Sequence, residues 1–266
     1  MSTHEPDHDH EPPAPATFLE SFDNWAQLLR HADAGYATGP ETQPPSVTSQ
    51  PAPPAAHPAW PDAPPYRPTI RKPMALLQVV DDGGDGGEVI RVRGDEIVIG
   101  RSEGDVVIPH DISMATRHAR ITRLPEGGWQ LSDLDSGSDR GTFVRAVTAK
   151  LKDGKVLQLG STRFRFEVVD LTEARLVELA PGGVARHHEC HGPAATIGRS
   201  GCGCTISIDD PFVSPLHAEV RAKASGWKIE NRGLNGLWVK IEAPVKLLVP
   251  SQFQCGEQRF VFVPLG

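Results

Sequence analysis

Three short motifs in the C-terminal third of the chain carry side chains suited to holding an oxyanion: Gly198-Arg199, Ser214-Pro215-Leu216-His217 and Asn235-Gly236. A planar guanidinium can meet two oxygens of a phosphate at once. A hydroxyl donates one more hydrogen bond, and a carboxamide offers both a donor and an acceptor. Each motif alone has a plainer reading. Gly-Arg is then a strand end with a solvated Arg, and Asn-Gly is a common hairpin turn. Which reading applies depends on the elements that position them.

Other chemistries are poorly represented. His187, His188, Cys190 and His191 cluster, and Cys202-Gly203-Cys204 follows, so metal-ligand types are present. Cys-x-Cys is less usual than Cys-x-x-Cys in zinc knuckles, and no metal site or cofactor is expected. His4, His8 and His10 lie in a Pro-rich tail. No nucleophile elbow, kinase motif or paired-carboxylate motif is found, so the expectation is a protein that is not an enzyme. Four cysteines in 266 residues are too few for a disulfide scaffold.

Composition divides the chain near residue 73. Sixteen of the 25 prolines lie in 1–73, where nine acids against four Lys/Arg contribute −5 of the net charge of −7. Such a segment cannot sustain a helix or a sheet ladder and has little apolar surface to offset its ordering entropy. It is expected to be a disordered tail. One stretch interrupts it: Phe18, Phe22, Trp25, Leu29 and Ala32 form a helical stripe, with a capping box from Thr17 to Glu20 and a stop at Gly35. A short amphipathic helix over about 18–34, marginal in water by itself, would dock onto the chain's own domains, enter a groove on a partner protein, or form only transiently. The acidic balance argues against nucleic acid as a partner. No apolar run approaches the ~18 residues of a membrane span, and the N-terminus is unlike a secretory signal, so a cytoplasmic protein is expected.

From Pro73 the texture becomes short Val/Ile/Phe-rich runs between turn residues: Ala75–Val80, Glu88–Val92, Glu96–Ile99, Ala119–Thr122 and Trp129–Leu131. This is the pattern of an all-β sandwich. The pattern also repeats. Ile99-Gly100-Arg101-Ser102 returns as Ile197-Gly198-Arg199-Ser200, and Arg117-His118-Ala119 as Leu216-His217-Ala218. Trp129 returns as Trp227, Arg140-Gly141-Thr142 as Asn235-Gly236-Leu237, Gln158-Leu159-Gly160 as Gln254-Cys255-Gly256, and Arg163-Phe164 as Arg259-Phe260. Matches in one order, at offsets between 95 and 99, mean a duplicated domain over 74–170 and 172–266.

Gly-Arg at a strand end, then Ser-x-x-His, a Trp-bearing strand and Asn-Gly resembles the forkhead-associated (FHA) family of bacterial type. The resemblance covers both copies and implies two tandem FHA-type antiparallel β-sandwiches whose loops at one end bind phosphothreonine peptides. In the second copy it implies that Arg199 grips the phosphate, that Ser214 donates to it, and that Asn235, with Gly236, holds the peptide backbone. Gly198 and His217 are implied as structural loop residues. Two departures stand out: Leu234 and Pro215 occupy positions where relatives often place polar side chains.

The first copy departs further, with Ala115 in place of the Ser and Arg140 in place of the Asn. Arg101 is kept, and Thr116 and Arg117 are its weaker candidates for compensation. The expectation is therefore a phosphothreonine-peptide-binding adaptor in Ser/Thr kinase signalling, acting mainly through the second copy. Its partners would be Thr-phosphorylated proteins and an upstream kinase. The alternative is a phosphate-independent scaffold that uses both sandwiches as docking surfaces. By analogy with related bacterial proteins, a phosphorylated Thr38, Thr42 or Thr48 would fold back onto the second copy.

Overall fold

The computed structural model describes residues 74–80, 87–135, 140–179 and 186–265. The expected tail over 1–73, with its helix and threonines, lies outside them. All the regular elements described are strands. The first repeat contributes β1 (Ala75–Val80), β2 (Val89–Val92), β3 (Glu96–Gly100), β4 (Val106–Val107), β5 (Ala119–Arg123), β6 (Trp129–Asp133), β7 (Thr142–Ala146), β8 (Thr148–Leu151), β9 (Val156–Leu159) and β10 (Thr162–Val168). The second contributes β11 (Glu173–Glu178), β12 (His187–His191), β13 (Ala194–Arg199), β14 (Ile206–Ile208), β15 (Ala218–Lys223), β16 (Gly226–Asn231), β17 (Leu237–Lys240), β18 (Val245–Leu247), β19 (Ser251–Cys255) and β20 (Gln258–Pro264).

Side-chain alternation explains why these runs are strands. In β5, Ala119 and Ile121 are buried while Arg120 and Thr122 are partly open. In β15, Ala218 and Val220 alternate with the less buried Glu219 and Arg221 in the same way. One face of each strand enters a core and the other meets water.

The strands form two sandwiches that share one sheet. A ten-stranded sheet runs β12-β11-β10-β9-β17-β7-β19-β20-β1-β2. A five-stranded sheet, β18-β6-β5-β3-β4, shares the first core with the β7-to-β2 half of the large sheet. The other five-stranded sheet, β14-β13-β15-β16-β8, shares the second core with the opposite half. The all-β architecture is as expected, with antiparallel pairing throughout these sheets except for the parallel pairs β3–β4 and β13–β14.

The sequence repeats and the packed units do not coincide. β16 pairs with β8 of the first repeat, with Trp227 opposite Leu151. Reciprocally, β6 pairs with β18 of the second repeat, with Leu131 opposite Val245. β1 pairs with β20, placing Leu77 opposite Phe262. The closing strands of each repeat have been exchanged. Phe253, Phe260 and Phe262 from the second repeat thus fill the first core, and Leu157, Phe164 and Phe166 from the first fill the second. A buried Phe or Leu stabilises by roughly 1.5–3 kcal/mol, so each core depends heavily on the other repeat's chain.

The junction explains how the chain makes the exchange. The Asp170 carboxylate accepts hydrogen bonds from the Thr172 N–H at 2.6 Å and the Glu173 N–H at 2.7 Å. This Asx turn closes a hairpin between β10 and β11, with Phe166 opposite Leu176. At the seam β7 and β17 pair antiparallel, Val144 opposite Val239. Val144 belongs to the first core and Ala146 to the second, so one strand face serves both.

Candidate phosphate-recognition site

Three loops of the second repeat meet at one end of the second sandwich. The first follows β13. A Cβ on Gly198 would lie 2.0 Å from the Pro215 carbonyl oxygen, so only glycine lets the strand end approach the next loop this closely. The Arg199 N–H donates to the Ser214 carbonyl at 3.0 Å. The Arg199 side chain is exposed.

The second loop runs from β14 to β15 and is pinned by His217, which is fully buried. The Ser214 N–H donates to His217 Nδ1 at 2.9 Å. Since Nδ1 accepts, the ring proton resides on Nε2, which donates to the Gly236 carbonyl at 3.0 Å. His217 therefore ties the Ser214 loop to the Asn235-Gly236 loop as a neutral imidazole. Burial lowers its pKa below the ordinary 6.5, against smaller raising contributions from Gly236 and Asp210.

The third loop joins β16 to β17. The Leu234 N–H donates to Ser214 Oγ at 3.3 Å, which leaves the hydroxyl hydrogen directed elsewhere. Asn235 is exposed, and its Nδ2 donates to the Phe212 carbonyl at 2.7 Å. The indole N–H of the buried Trp238 holds the Asn235 carbonyl at 2.9 Å. Gly236 adopts a φ of 78°, the left-handed conformation that an Asn-Gly turn requires. Arg199, Ser214 and Asn235, singled out from the sequence, thus sit on loops bonded directly to one another.

Sequence reasoning missed the residues beneath these loops. Asp210 precedes Phe212, and its carboxylate accepts from the Phe212 N–H at 2.8 Å. Its other oxygen accepts from the Ser161 N–H at 2.7 Å, the Ser161 hydroxyl at 2.9 Å and the Thr162 hydroxyl at 2.9 Å. Burial alone would raise the Asp210 pKa, but these hydrogen bonds outweigh it and hold the carboxyl below its ordinary value. Ser161 and Thr162 belong to the first repeat, as does Arg145, whose Nη2 donates to the Leu234 carbonyl at 2.9 Å. The available signal was a matching Asp111 and Asp210, each an offset of 99 apart, but nothing in it shows which repeat they grip.

The first repeat keeps the backbone frame without the same side chains. The Ala115 N–H donates to His118 Nδ1 at 3.0 Å, and the Arg101 N–H to the Ala115 carbonyl at 2.8 Å. Ala115 supplies no hydroxyl. The buried Nε2 of His118 has no hydrogen-bond partner among the described residues, whereas His217 holds Gly236. Thr116, Arg117 and Arg140 are exposed around this frame.

Cys190, His188 and Cys204 each sit in a different local setting. Cys190 is buried in the second core, and burial pushes its thiol up to about 12. His188 Nε2 lies 2.7 Å from Glu178. The Cys204 thiol donates to the Pro215 carbonyl at 3.1 Å.

Comparison with known proteins places family matches in both repeats. Residues 97–160 and 195–254 match the model of the FHA domain. The FHA domain-containing protein FhaB of Mycolicibacterium smegmatis is 32% identical over 97 residues, which is 35% of this chain and 60% of that protein. The chain thus spans less than two thirds of that relative's length. The crystal structure of the FHA domain of CT664 protein from Chlamydia trachomatis aligns over 72% of this chain and 98% of its own, at a TM-score of 0.32 and 13% identity.

Proposed function

Because the chain belongs to the bacterial FHA-domain proteins, with a family segment in each repeat, we propose that it is a phosphothreonine-peptide-binding adaptor acting through the loops of its second repeat. FHA domains bind phosphothreonine peptides in signalling and are not catalysts. The observation that carries the reading to the second repeat is the convergence of Arg199, Ser214 and Asn235 on mutually bonded loops, with the guanidinium exposed.

A phosphothreonine brings close to two negative charges and three strong acceptor oxygens. Arg199 meets two of them, and the Ser214 hydroxyl, oriented by the Leu234 N–H, donates to the third. Asn235 keeps its Oδ1 for a peptide N–H while its Nδ2 holds Phe212. A Ser/Thr kinase acting on the partner would switch the interaction on. The first repeat, with Ala115 and a His118 Nε2 that has no hydrogen-bond partner among the described residues, contributes structure rather than the principal phosphate site.

The test is titration of the full chain with a degenerate phosphothreonine peptide pool beside its unphosphorylated counterpart. Capture of the phosphorylated pool alone supports the reading. Equal capture of both, or of neither, rejects it in favour of a phosphate-independent scaffold.

A further inference from the structure

Arg145 lies in β7 of the first repeat, opposite Trp238 of β17. The exchange of strands puts it beneath the Asn235-Gly236 loop of the second. Its Nη2 donates to the Leu234 carbonyl at 2.9 Å, and its Nη1 to Gln252 Oε1 at 3.0 Å. A Cβ built on Gly236 would lie 2.4 Å from Arg145 Nε, so the guanidinium stem fills the space under the turn that carries Asn235. Arg145 is itself only half-buried, and Gln252 anchors the far side of its fork. A guanidinium held at two points is a rigid support, which a single flexible ammonium is not.

The pseudo-symmetric position carries a different side chain. Lys240, which corresponds to Arg145 in the repeat, lies under Gly141 of the first repeat, where a Cβ would sit 2.5 Å from Lys240 Cε. Each repeat thus props the other's turn. The second repeat's turn has the planar, two-point donor, and the first repeat's turn has the lysine.

We propose that Arg145 is a positioning residue for phosphothreonine recognition, so that the second repeat's site is completed by the first repeat. This rests on the phosphopeptide-binding reading above. The consequence is that the first repeat is required for recognition at a site to which its own phosphate-binding positions contribute nothing. Fixing the Leu234 carbonyl fixes the peptide plane that leads into Asn235, and hence the direction of its carboxamide.

The full chain and its Arg145→Ala, Arg145→Lys and Lys240→Ala variants are titrated with the phosphothreonine peptide pool. In parallel, ¹⁵N heteronuclear relaxation is recorded at Leu234, Asn235 and Gly236. Arg145→Ala is expected to weaken binding about tenfold, the effect of losing one charge-assisted hydrogen bond. The three amides should become more mobile on the picosecond-to-nanosecond scale while the rest of the spectrum stays that of a folded chain. Arg145→Lys should recover part of the affinity through one donor to Leu234, and Lys240→Ala should bind within about twofold of the parent. Unchanged affinity in Arg145→Ala, or an equal loss in Lys240→Ala, overturns the proposal. If the parent chain captures no phosphopeptide, the adaptor reading fails, and the relaxation data alone decide: unchanged mobility at Leu234–Gly236 in Arg145→Ala rules out the positioning role.

Discussion

The Asp210 carboxylate, in the loop that carries Ser214, accepts hydrogen bonds from both the N–H and the hydroxyl of Ser161, a residue of the other repeat. The arrangement has a counterpart at the opposite end of the exchange, where Asp111 Oδ2 accepts from the Glu257 N–H at 2.8 Å. Each exchanged hairpin is therefore clasped at its turn by an aspartate of the repeat it has joined. In Asp210→Ala the Ser161 N–H, Thr162 hydroxyl and Phe212 N–H lose their acceptor. Unsatisfied polar groups at a site where Asp210 is 3% exposed should cost about 2–3 kcal/mol, read as a lower urea midpoint. Phosphopeptide affinity should fall too, since Phe212 holds Asn235.

Acid should loosen the site through His217. Its pKa is lowered in the folded state, mainly by burial, so the unfolded chain takes up a proton first as pH falls below 6.5. Its stabilising contribution is complete above about pH 6.5 and is lost as pH falls through the folded value. A proton on Nδ1 would also face the Ser214 N–H instead of accepting from it. Stability measured by urea denaturation should decline from pH 7 to pH 5, with the decline reduced in His217→Gln. An identical pH profile in that variant would show that His217 is not the group responsible.

The strand exchange can be read by cross-linking. Lys228 of β16 lies opposite Lys150 of β8, while Lys246 of β18 lies opposite Gln130 of β6. In a chain with Cys202 and Cys204 replaced by Ser, the pair Lys150→Cys and Lys228→Cys should form an intramolecular disulfide on mild oxidation, observed by mass spectrometry. The pair Lys228→Cys and Lys246→Cys should not. The reverse pattern would mean that each repeat closes on its own strands.

Much of this architecture was legible in the sequence, and the exchange was not. Strands such as Ala75–Val80 and the Trp129–Leu131 part of β6 announce themselves by short apolar runs bounded by turn residues. The order of Gly198-Arg199, Ser214, His217 and Asn235-Gly236 located the loops that the structure bonds together. Strand partners are a different matter. Pairing is selected by side-chain pattern and register, and duplication gives both closing hairpins the same pattern: Gln158-Leu159-Gly160 with Arg163-Phe164, and Gln254-Cys255-Gly256 with Arg259-Phe260. The two glutamines even meet across the seam, Gln254 Nε2 lying 3.5 Å from Gln158 Oε1. Either hairpin satisfies either core, so local sequence does not choose between them. The support that Arg145 and Ser161 give to the second site follows from that choice and was hidden with it.

The central claim is that phosphothreonine is held by the second repeat and gripped by Arg199. It is tested most directly by titrating one phosphothreonine peptide, selected from the pool, into the full chain and its Arg199→Ala and Arg101→Ala variants. Loss of a charge-assisted contact in Arg199→Ala should weaken binding by about one to two powers of ten, with Arg101→Ala near the parent. Parent-like affinity in Arg199→Ala, or a loss confined to Arg101→Ala, would contradict the assignment.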